Sequence, residues 1–213
     1  MGVFISFEGI DGCGKSTQLR LLADWLVGKG IEVCATHEPG DTPLGRQIRE
    51  LLLHGEAPAP TAELFLFLAD RAEHVAKRID PALAGGAWVL CDRYTDSTRA
   101  YQLAGRNLAQ GEELEPLLQA AQMGVVPHCT IWLDLPVEQA MERMAARAAA
   151  GGRSTRLDEE SLAFHRRVQA GFAAIRERHP ERMQRVAADA GIEAVQQRIR
   201  QALAATLGDA WPS

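Results

Sequence analysis

Residues Phe4 to Leu26 read FISFEGIDGCGKSTQLRLLADWL, and this stretch decides the fold of the chain. A short apolar run leads into a glycine-rich turn and then into an amphipathic helical pattern. The turn, Gly9 to Ser16, matches G-x-x-x-x-G-K-[ST], a phosphate-binding loop between a strand and a helix. Its glycines let backbone N–H groups converge on phosphate oxygens, and the helix N-terminus adds positive potential. The alternative is a plain strand-turn-helix with a glycine-rich bend.

The motif assigns roles to single residues. We expect Lys15 to reach the terminal phosphates of a nucleoside triphosphate and Ser16 to ligate Mg²⁺. Cys13 lies at a helix N-terminus, where thiol pKa values fall, so we expect a reactive thiol that ATP protects from alkylation. The other residues expected to contact ATP through this loop are Gly9, Ile10, Asp11, Gly12, Gly14 and Thr17.

Beyond the loop, short apolar runs alternate with longer helical patterns, which is typical of βαβ units and a parallel sheet. The predicted strands are Val3–Glu8, Ile31–His37, Trp88–Asp92, Cys129–Leu135 and Met183–Ala187. The predicted helices are Lys15–Val27, Pro43–Leu53, Ala62–Leu83, a pair across 98–123, Val137–Ala149, Glu159–Arg178 and Ile192–Leu207. No linker divides the chain, so we expect residues 1–213 to form a single α/β domain.

Composition narrows the class of protein. The chain has 213 residues, 46% of them hydrophobic, and a formal net charge of -5. This charge argues against a general nucleic-acid binder, which carries a basic stripe. No run approaches the roughly 20 apolar residues of a membrane-spanning helix, so we expect no membrane role. The four cysteines are widely spaced and no secretory leader is evident, which indicates a reducing cytoplasm rather than disulfides or zinc.

A second informative stretch, Val89 to Gln102, reads VLCDRYTDSTRAYQ. Asp92 ends a predicted buried strand, where an acidic side chain faces the phosphate loop and holds Mg²⁺ directly or through water. Arg93 follows it with a planar cation suited to a bidentate grip on a phosphate monoester. The alternative for this pair is a surface ion pair that closes the strand.

Six segments, in this order, resemble the thymidylate kinase family in its bacterial type with lid arginines: FEGIDGCGKST, EPGDTPLGRQIRELLL, FLFLADRAEHV, CDRYTDSTRAYQ, WLDLPVEQA and RLDEES. The resemblance implies a P-loop nucleoside monophosphate kinase fold with a five-stranded parallel sheet flanked by helices. It implies a mobile lid at about residues 148–158 and a homodimer. It also implies phosphorylation of dTMP to dTDP by Mg-ATP, a step of dTTP biosynthesis.

The resemblance also assigns an acceptor site. Arg49 and Arg93 would grip the dTMP phosphate, and Asp11 would lie near the acceptor sugar and the metal. Phe67 would stack on thymine and Arg71 would reach a base carbonyl, since positions four apart share a helix face. For Phe67 alone, the alternative is a core aromatic. The residues implied to complete the pocket are Glu38, Thr98, Tyr101 and Gln102.

Members of the family supply a catalytic positive charge from the phosphate loop or from the lid. Here Gly12 and Cys13 stand where the first type carries arginine, so the lid is expected to provide it. Arg153 is the first candidate, Arg156 is expected to contact ATP, and Arg147 lies behind them. The alternative is that these arginines are merely solvated. The predicted catalytic residues are Lys15, Arg93, Arg153 and Asp11.

The sequence departs from the family pattern twice, and both departures lie on the acceptor side. Where the family reads REPGGT, this chain reads HEPGDT from His37 to Thr42, which places the carboxylate of Asp41 near the expected acceptor phosphate. The family's YQGxGRG becomes YQLAGRN from Tyr101 to Asn107. Both departures leave the ATP chemistry unchanged.

The run Leu64–Leu68 is apolar around nearly the whole helix, more than packing on one sheet requires. We therefore expect this helix to contact the sheet with one face and a partner subunit with another.

Two other functions fit part of the sequence. A deoxynucleoside kinase would use Glu38 as a carboxylate base for a neutral hydroxyl, but Arg49 and Arg93 are excessive for an uncharged acceptor. A nucleotide-dependent switch would carry a guanine-selective motif such as NKxD, which the sequence lacks.

Overall fold

The computed structural model of this chain describes residues 2–108, 111–152 and 154–212, with 111–113 described through their backbone only. Within them, five strands form one parallel sheet in the order β2-β3-β1-β4-β5. The strands are β1 Phe4–Glu8, β2 Val33–His37, β3 Trp88–Asp92, β4 Cys129–Asp134 and β5 Met183–Ala187. The predicted α/β fold with a five-stranded parallel sheet is confirmed.

Helices connect the strands and cover both faces of the sheet. The α-helices are α1 Lys15–Gly28, α2 Pro43–Leu53, α3 Pro60–His74, α4 Asp80–Ala84, α5 Thr95–Thr98, α6 Gly111–Gln122, α7 Val137–Ala149, α8 Leu162–Arg178 and α9 Ile192–Leu207. The described part of the chain also has two π-helical segments, Val75–Ile79 and Arg99–Gly105, which extend α3 and α5, and a 3-10 turn at Gly208–Ala210.

Several predicted boundaries shift for local reasons. β2 begins at Val33 rather than Ile31, because the turn after α1 uses a left-handed Gly30 and ties the Ile31 amide to the carbonyl of Leu26. α8 begins at Leu162 rather than Glu159, because the Ser161 side chain accepts a hydrogen bond from the Phe164 amide and caps the helix there. The predicted single helix over 62–83 contains a π-helical turn before Pro81, which has no amide hydrogen to donate.

Alternate residues of the strands point to opposite faces of the sheet. Phe4 and Val89 belong to a buried cluster with Val75 and Ile79 of the first π-helical segment. Ile5, Phe7 and Leu90 belong to the larger core together with the buried residues of α1 and α9. The sheet is therefore buried on both sides, which is the usual state of an all-parallel sheet.

The carboxyl ends of β1, β2 and β3 lie at one edge of the sheet, because the strands are parallel. Chain order reverses beside β1, which pairs with β3 on one side and with β4 on the other. Ligands of open α/β sheets bind outside the strand ends at such a switch point. Among the described residues, no helix combines the length and apolarity needed to cross a membrane.

Candidate active site

The loop between β1 and α1 has the backbone of an anion cradle. Gly9, Gly12 and Gly14 adopt positive φ angles of 135°, 80° and 98°. A Cβ atom at Gly12 would stand 2.5 Å from the carbonyl oxygen of Ala140, so only glycine fits between the loop and α7. Lys15 begins α1, is buried, and donates hydrogen bonds of 3.1 Å to the carbonyls of Gly9 and Ile10. The loop is therefore already folded around its lysine.

Arg93 lies directly after β3 with an unusual backbone, φ 74°. Its amide donates to the carbonyl of Phe7, and the next amide, that of Tyr94, donates to the buried carboxyl group of Glu8 at 2.8 Å. Glu8 also accepts a hydrogen bond from the Ser97 hydroxyl at 2.5 Å. A left-handed non-glycine residue is strained and persists only when its surroundings impose it. β1 therefore fixes the position of Arg93.

The guanidinium of Arg93 is held on both of its terminal nitrogens. Nη1 donates to the Gly9 carbonyl and the Ser97 hydroxyl, each at 3.0 Å. Nη2 donates to Asp11 Oδ1 at 2.6 Å and to the Tyr101 hydroxyl at 3.1 Å. The Tyr101 hydroxyl in turn donates to Asp11 Oδ2 at 3.0 Å. These contacts join the phosphate loop to the acceptor side of the site.

Asp11 is ionised in this cluster. Burial alone would raise the pKa of its carboxyl, but the charges of Arg93 and Lys15 outweigh burial and hold that pKa well below the ordinary range.

The two predicted metal ligands lie together. The Ser16 hydroxyl donates to Asp92 Oδ2 at 2.6 Å, across the gap between α1 and the end of β3. Both side chains line the same cavity. A hydroxyl and a carboxylate are the hard oxygen donors that Mg²⁺ prefers, so this pair fits the ion that accompanies ATP.

A buried network stands behind the expected base pocket. Arg71 donates to Glu38 Oε2 through Nε at 2.9 Å and through Nη2 at 2.7 Å, and Nη1 donates to the Thr98 hydroxyl at 2.9 Å. The other oxygen of Glu38 lies 2.9 Å from His74 Nδ1. All four side chains are buried. The network holds Arg71 rigidly where it faces the cavity.

The loop after β2 is tied down by two side chains. Arg49 Nη1 donates to the Pro39 carbonyl at 2.6 Å, and the Gly40 amide donates to Asp70 Oδ1 at 3.1 Å. The second carboxylate oxygen of Asp70 is buried and has no hydrogen-bond partner among the described residues. Burial and the nearby charge of Glu38 raise the pKa of Asp70 to about 7.

A cavity of about 860 Å³ brings most of the predicted site residues together. The predicted residues that line it are Asp11, Gly12, Gly14, Lys15, Ser16, Thr17, Glu38, Arg49, Phe67, Arg71, Asp92, Arg93, Thr98, Tyr101 and Gln102. Gly9, Ile10 and Cys13 belong to the loop but do not line the cavity. The two expected substrates therefore share one continuous space.

The lid arginines are placed differently from one another. Arg147 lines the cavity and pairs with Asp158 at 3.1 Å. Arg156 does not line it, because its side chain lies against Glu63 and the carbonyl of Leu52. Arg153 lies outside the described residues. The contacts of Arg153 and Arg156 with ATP stay predictions.

Two expectations about single residues change. The carboxylate of Asp41 does not line the cavity, because Oδ2 accepts hydrogen bonds from Thr36 at 2.7 Å and from Arg78 at 2.9 Å. The expected low pKa of the Cys13 thiol is wrong: the side chain is buried, and burial raises its pKa despite the nearby charge of Lys15.

Sequence reasoning missed several residues of the site. Arg143 and Ser97 line the cavity, as do Thr155 and Asp158. Arg143 precedes Arg147 by one helical turn on α7, and that spacing is the signal that points to it. The supporting role of Glu8 has no sequence signal beyond its place at the end of a strand.

Comparisons with known proteins agree with this geometry. The family model described as thymidylate kinase matches residues 7–199. A curated thymidylate kinase of Gloeobacter violaceus is 48% identical over 202 residues, which cover 94% of each chain. The thymidylate kinase of Thermomicrobium roseum is 53% identical over 182 residues, which cover 85% of each chain. The thymidylate kinase of Synechococcus sp. (strain JA-2-3B'a(2-13)) is 50% identical over 186 residues, which cover 87% of this chain and 86% of the relative. The chain therefore belongs to the thymidylate kinase family.

Proposed function

We propose that the cavity carries the thymidylate kinase reaction, transfer of the γ-phosphoryl group of ATP to dTMP. The observation that carries this assignment is the cluster of Arg93, Asp11 and Tyr101, which joins the phosphate loop to a pocket lined by Phe67 and Arg71. A phosphate loop alone fits many functions, since function depends on the site and not on the fold. The cationic acceptor side selects a phosphorylated acceptor.

The donor end of the cavity is formed by the phosphate loop and α7. We assign Gly12, Gly14 and Lys15 to the phosphates of ATP, with Ser16 and Asp92 holding Mg²⁺. When bound, the ion neutralises charge on the phosphates. Arg147 and Arg143 face the same space from α7 and add positive charge to it.

The acceptor end uses three kinds of contact. Arg49 and Arg93 attract the dTMP phosphate, and Phe67 offers a partly exposed ring on which thymine stacks. Arg71, locked by Glu38 and Thr98, faces the base edge. Aromatic stacking and fixed donors orient the acceptor without movement of the pocket at the moment of reaction.

The chemical step is an in-line displacement. A dTMP phosphate oxygen forms a bond to the γ-phosphorus of ATP as the bond from that phosphorus to the β-phosphate oxygen breaks, giving dTDP and ADP. The attacking oxygen is already anionic near neutral pH, so no general base is needed. Positioning and electrostatic stabilisation by the loop, Lys15 and the arginines carry the rate.

The buried state of Glu38 argues against the nucleoside kinase alternative. A base for a neutral hydroxyl needs a free oxygen within reach of the substrate. Both oxygens of Glu38 are engaged, one by Arg71 and one by His74. A carboxylate held in this way supports the pocket rather than accepting a proton.

We also propose a homodimer that forms through α3. Leu64 and Leu68 are buried in the protomer, whereas Phe65, on an adjoining part of the helix surface, is 51% exposed. Aromatic residues are enriched at subunit interfaces, and we assign Phe65 to this one. A cytoplasmic location is consistent with the four cysteines, all of which are free thiols.

Turnover with separate acceptors tests the assignment. ADP formation from Mg-ATP is measured with dTMP, dUMP, UMP, CMP or thymidine against a blank without acceptor. We expect strong turnover with dTMP, weaker turnover with dUMP and blank rates with thymidine. Turnover with thymidine but not with dTMP would show that the protein is a nucleoside kinase instead.

A further inference from the structure

Glu63 on α3 lies at a junction that neither expected substrate reaches. Its side chain is 1% exposed, and it does not line the cavity. The two carboxylate oxygens accept hydrogen bonds from three side chains on two segments: Gln102 at 3.0 Å and Arg106 at 3.1 Å from the second π-helical segment and its end, and Arg156 at 2.5 Å. The buried carboxylate therefore fixes the positions of these three side chains relative to one another.

One of these partners belongs to the acceptor wall of the cavity. Gln102 is a buried residue of the π-helical segment Arg99–Gly105, next to Tyr101, and its side chain lines the cavity. Its amide nitrogen donates to Glu63 Oε1. A base that contacts Gln102 therefore acts on a side chain already bound to Glu63.

Another partner belongs to the segment that closes the donor side. Arg156 stands between Thr155 and Leu157, which both line the cavity. Its backbone amide donates to the Leu53 carbonyl at 3.1 Å, and its guanidinium donates to the Leu52 carbonyl and to Glu63. This anchoring fixes residues 154–158, called the wall segment below, on the side that faces away from the cavity.

The remaining wall contact runs to α7. Asp158 accepts hydrogen bonds from the Thr155 amide at 2.9 Å and from Arg147 at 3.1 Å. Arg147 lines the donor end of the cavity on the same helix whose Ala140 carbonyl lies against the phosphate loop at Gly12. A continuous chain of contacts thus joins Gln102, through Glu63, to the donor end.

Opposite charges hold the members of this chain of contacts together. Burial would raise the pKa of Glu63, but hydrogen bonds from Arg106, Gln102 and Arg156 outweigh burial and lower it, so the carboxylate is ionised. Arg106 is also paired with Glu160, just after the wall segment. Loss of one partner from a buried ion network leaves an uncompensated charge, so the partners favour being in place together.

We propose that Glu63 is a positioning residue that couples the binding of the two substrates, so that dTMP at Gln102 orders the 154–158 wall for ATP, and ATP tightens dTMP in return. This inference rests on the proposed function, because it assigns the two ends of the cavity to dTMP and ATP. A first ligand that immobilises the network lowers the ordering cost for the second. Linkage requires that the effect be reciprocal.

The test measures the dissociation constant of dTMP with and without a non-hydrolysable ATP analogue and Mg²⁺, by calorimetry. In the unaltered protein the analogue is expected to tighten dTMP by roughly fivefold or more. Glu63→Gln keeps the shape and the acceptor for Gln102 but removes the charge. The ratio of the two constants is then expected to fall to within about twofold of one.

Glu138→Gln is the matched control. Glu138 forms a 2.8 Å ion pair with Arg166, but both side chains are exposed and do not line the cavity. The same loss of charge there is expected to leave the ratio unchanged. Hydrogen exchange supplies a second readout: dTMP alone is expected to slow exchange at 154–158 in the control but not in Glu63→Gln.

Arg156→Gln cuts the same connection from its other end and carries the test if Glu63→Gln does not fold. The ratio must fall as it does in Glu63→Gln, and the double variant must show no further loss. A ratio that survives Glu63→Gln, or that falls equally in Glu138→Gln, overturns the proposal. If the unaltered protein binds both ligands independently, the coupling is wrong but the proposed function stands; if it binds neither, the proposed function itself fails.

Discussion

Replacing Asp70 by asparagine is expected to change how the stability of the protein depends on pH. Asp70 holds the Gly40 amide with one carboxylate oxygen, while the other is buried without a partner among the described residues. Burial and the charge of Glu38 raise the pKa of Asp70 from 3.8 to about 7. The uncharged amide introduced by Asp70→Asn mimics the protonated, neutral form of the carboxyl.

The sign follows from proton binding. Between pH 4 and pH 7 the folded protein keeps a proton on Asp70 that the unfolded chain has lost. Binding of this proton stabilises the folded protein fully below pH 3.8, and the stabilisation is lost as the pH rises through 7. Each pH unit in this window is worth about 1.4 kcal/mol. From pH 5 to pH 8 the wild-type protein should therefore lose about 3 kcal/mol relative to Asp70→Asn.

Urea unfolding of both proteins at pH 5, 6, 7 and 8 measures this quantity. Titrating groups remote from Asp70 are shared by the two proteins, so they cancel in the difference between the two free energies of unfolding. Asp24→Asn is the matched control, since Asp24 is 69% exposed and its variant should track the wild type at every pH. A difference between wild type and Asp70→Asn that stays constant with pH would refute the argument.

Three further outcomes are expected. Tyr101→Phe keeps the ring but removes the hydroxyl that bridges Asp11 and Arg93, so kcat/KM for dTMP should fall about tenfold in steady-state assays. Phe65→Glu should convert a dimer into a monomer in sedimentation equilibrium; a monomeric wild type would contradict the α3 interface. Cys13 should be alkylated slowly and equally with and without ATP, and more slowly than the half-buried Cys34, as peptide mass spectrometry would report.

The sequence predicted most of the fold because its signals are local. Alternation of short apolar runs with helical patterns located all five strands, and the Pro43–Leu53, Val137–Ala149 and Ile192–Leu207 helices have the predicted bounds. The π-helical turn at Val75–Ile79 escaped prediction, since its residues are ordinary helix formers and the wider turn depends on packing around Pro81.

The site was less predictable wherever the position or the pKa of a side chain depends on residues that are distant in sequence. The contact of Arg156 with ATP stays a prediction, but its ion pair with Glu63, 93 positions earlier, had no signal in the sequence. Cys13 looked reactive from its place at a helix N-terminus, yet burial outweighs that effect. Such outcomes depend on which side chains meet after folding, and motif spacing carries no information about that.

The occupied guanidinium of Arg93 has a consequence for inhibitors. Four of its five N–H groups already serve the protein, through Gly9, Ser97, Asp11 and Tyr101, so a phosphate arriving at this residue meets a fixed positive charge and little spare hydrogen-bonding capacity. Acceptor analogues should accordingly be judged by their charge more than by their shape at this point. A neutral sulfonamide or amide placed where the phosphate belongs would gain almost nothing, whereas a phosphonate would retain the attraction.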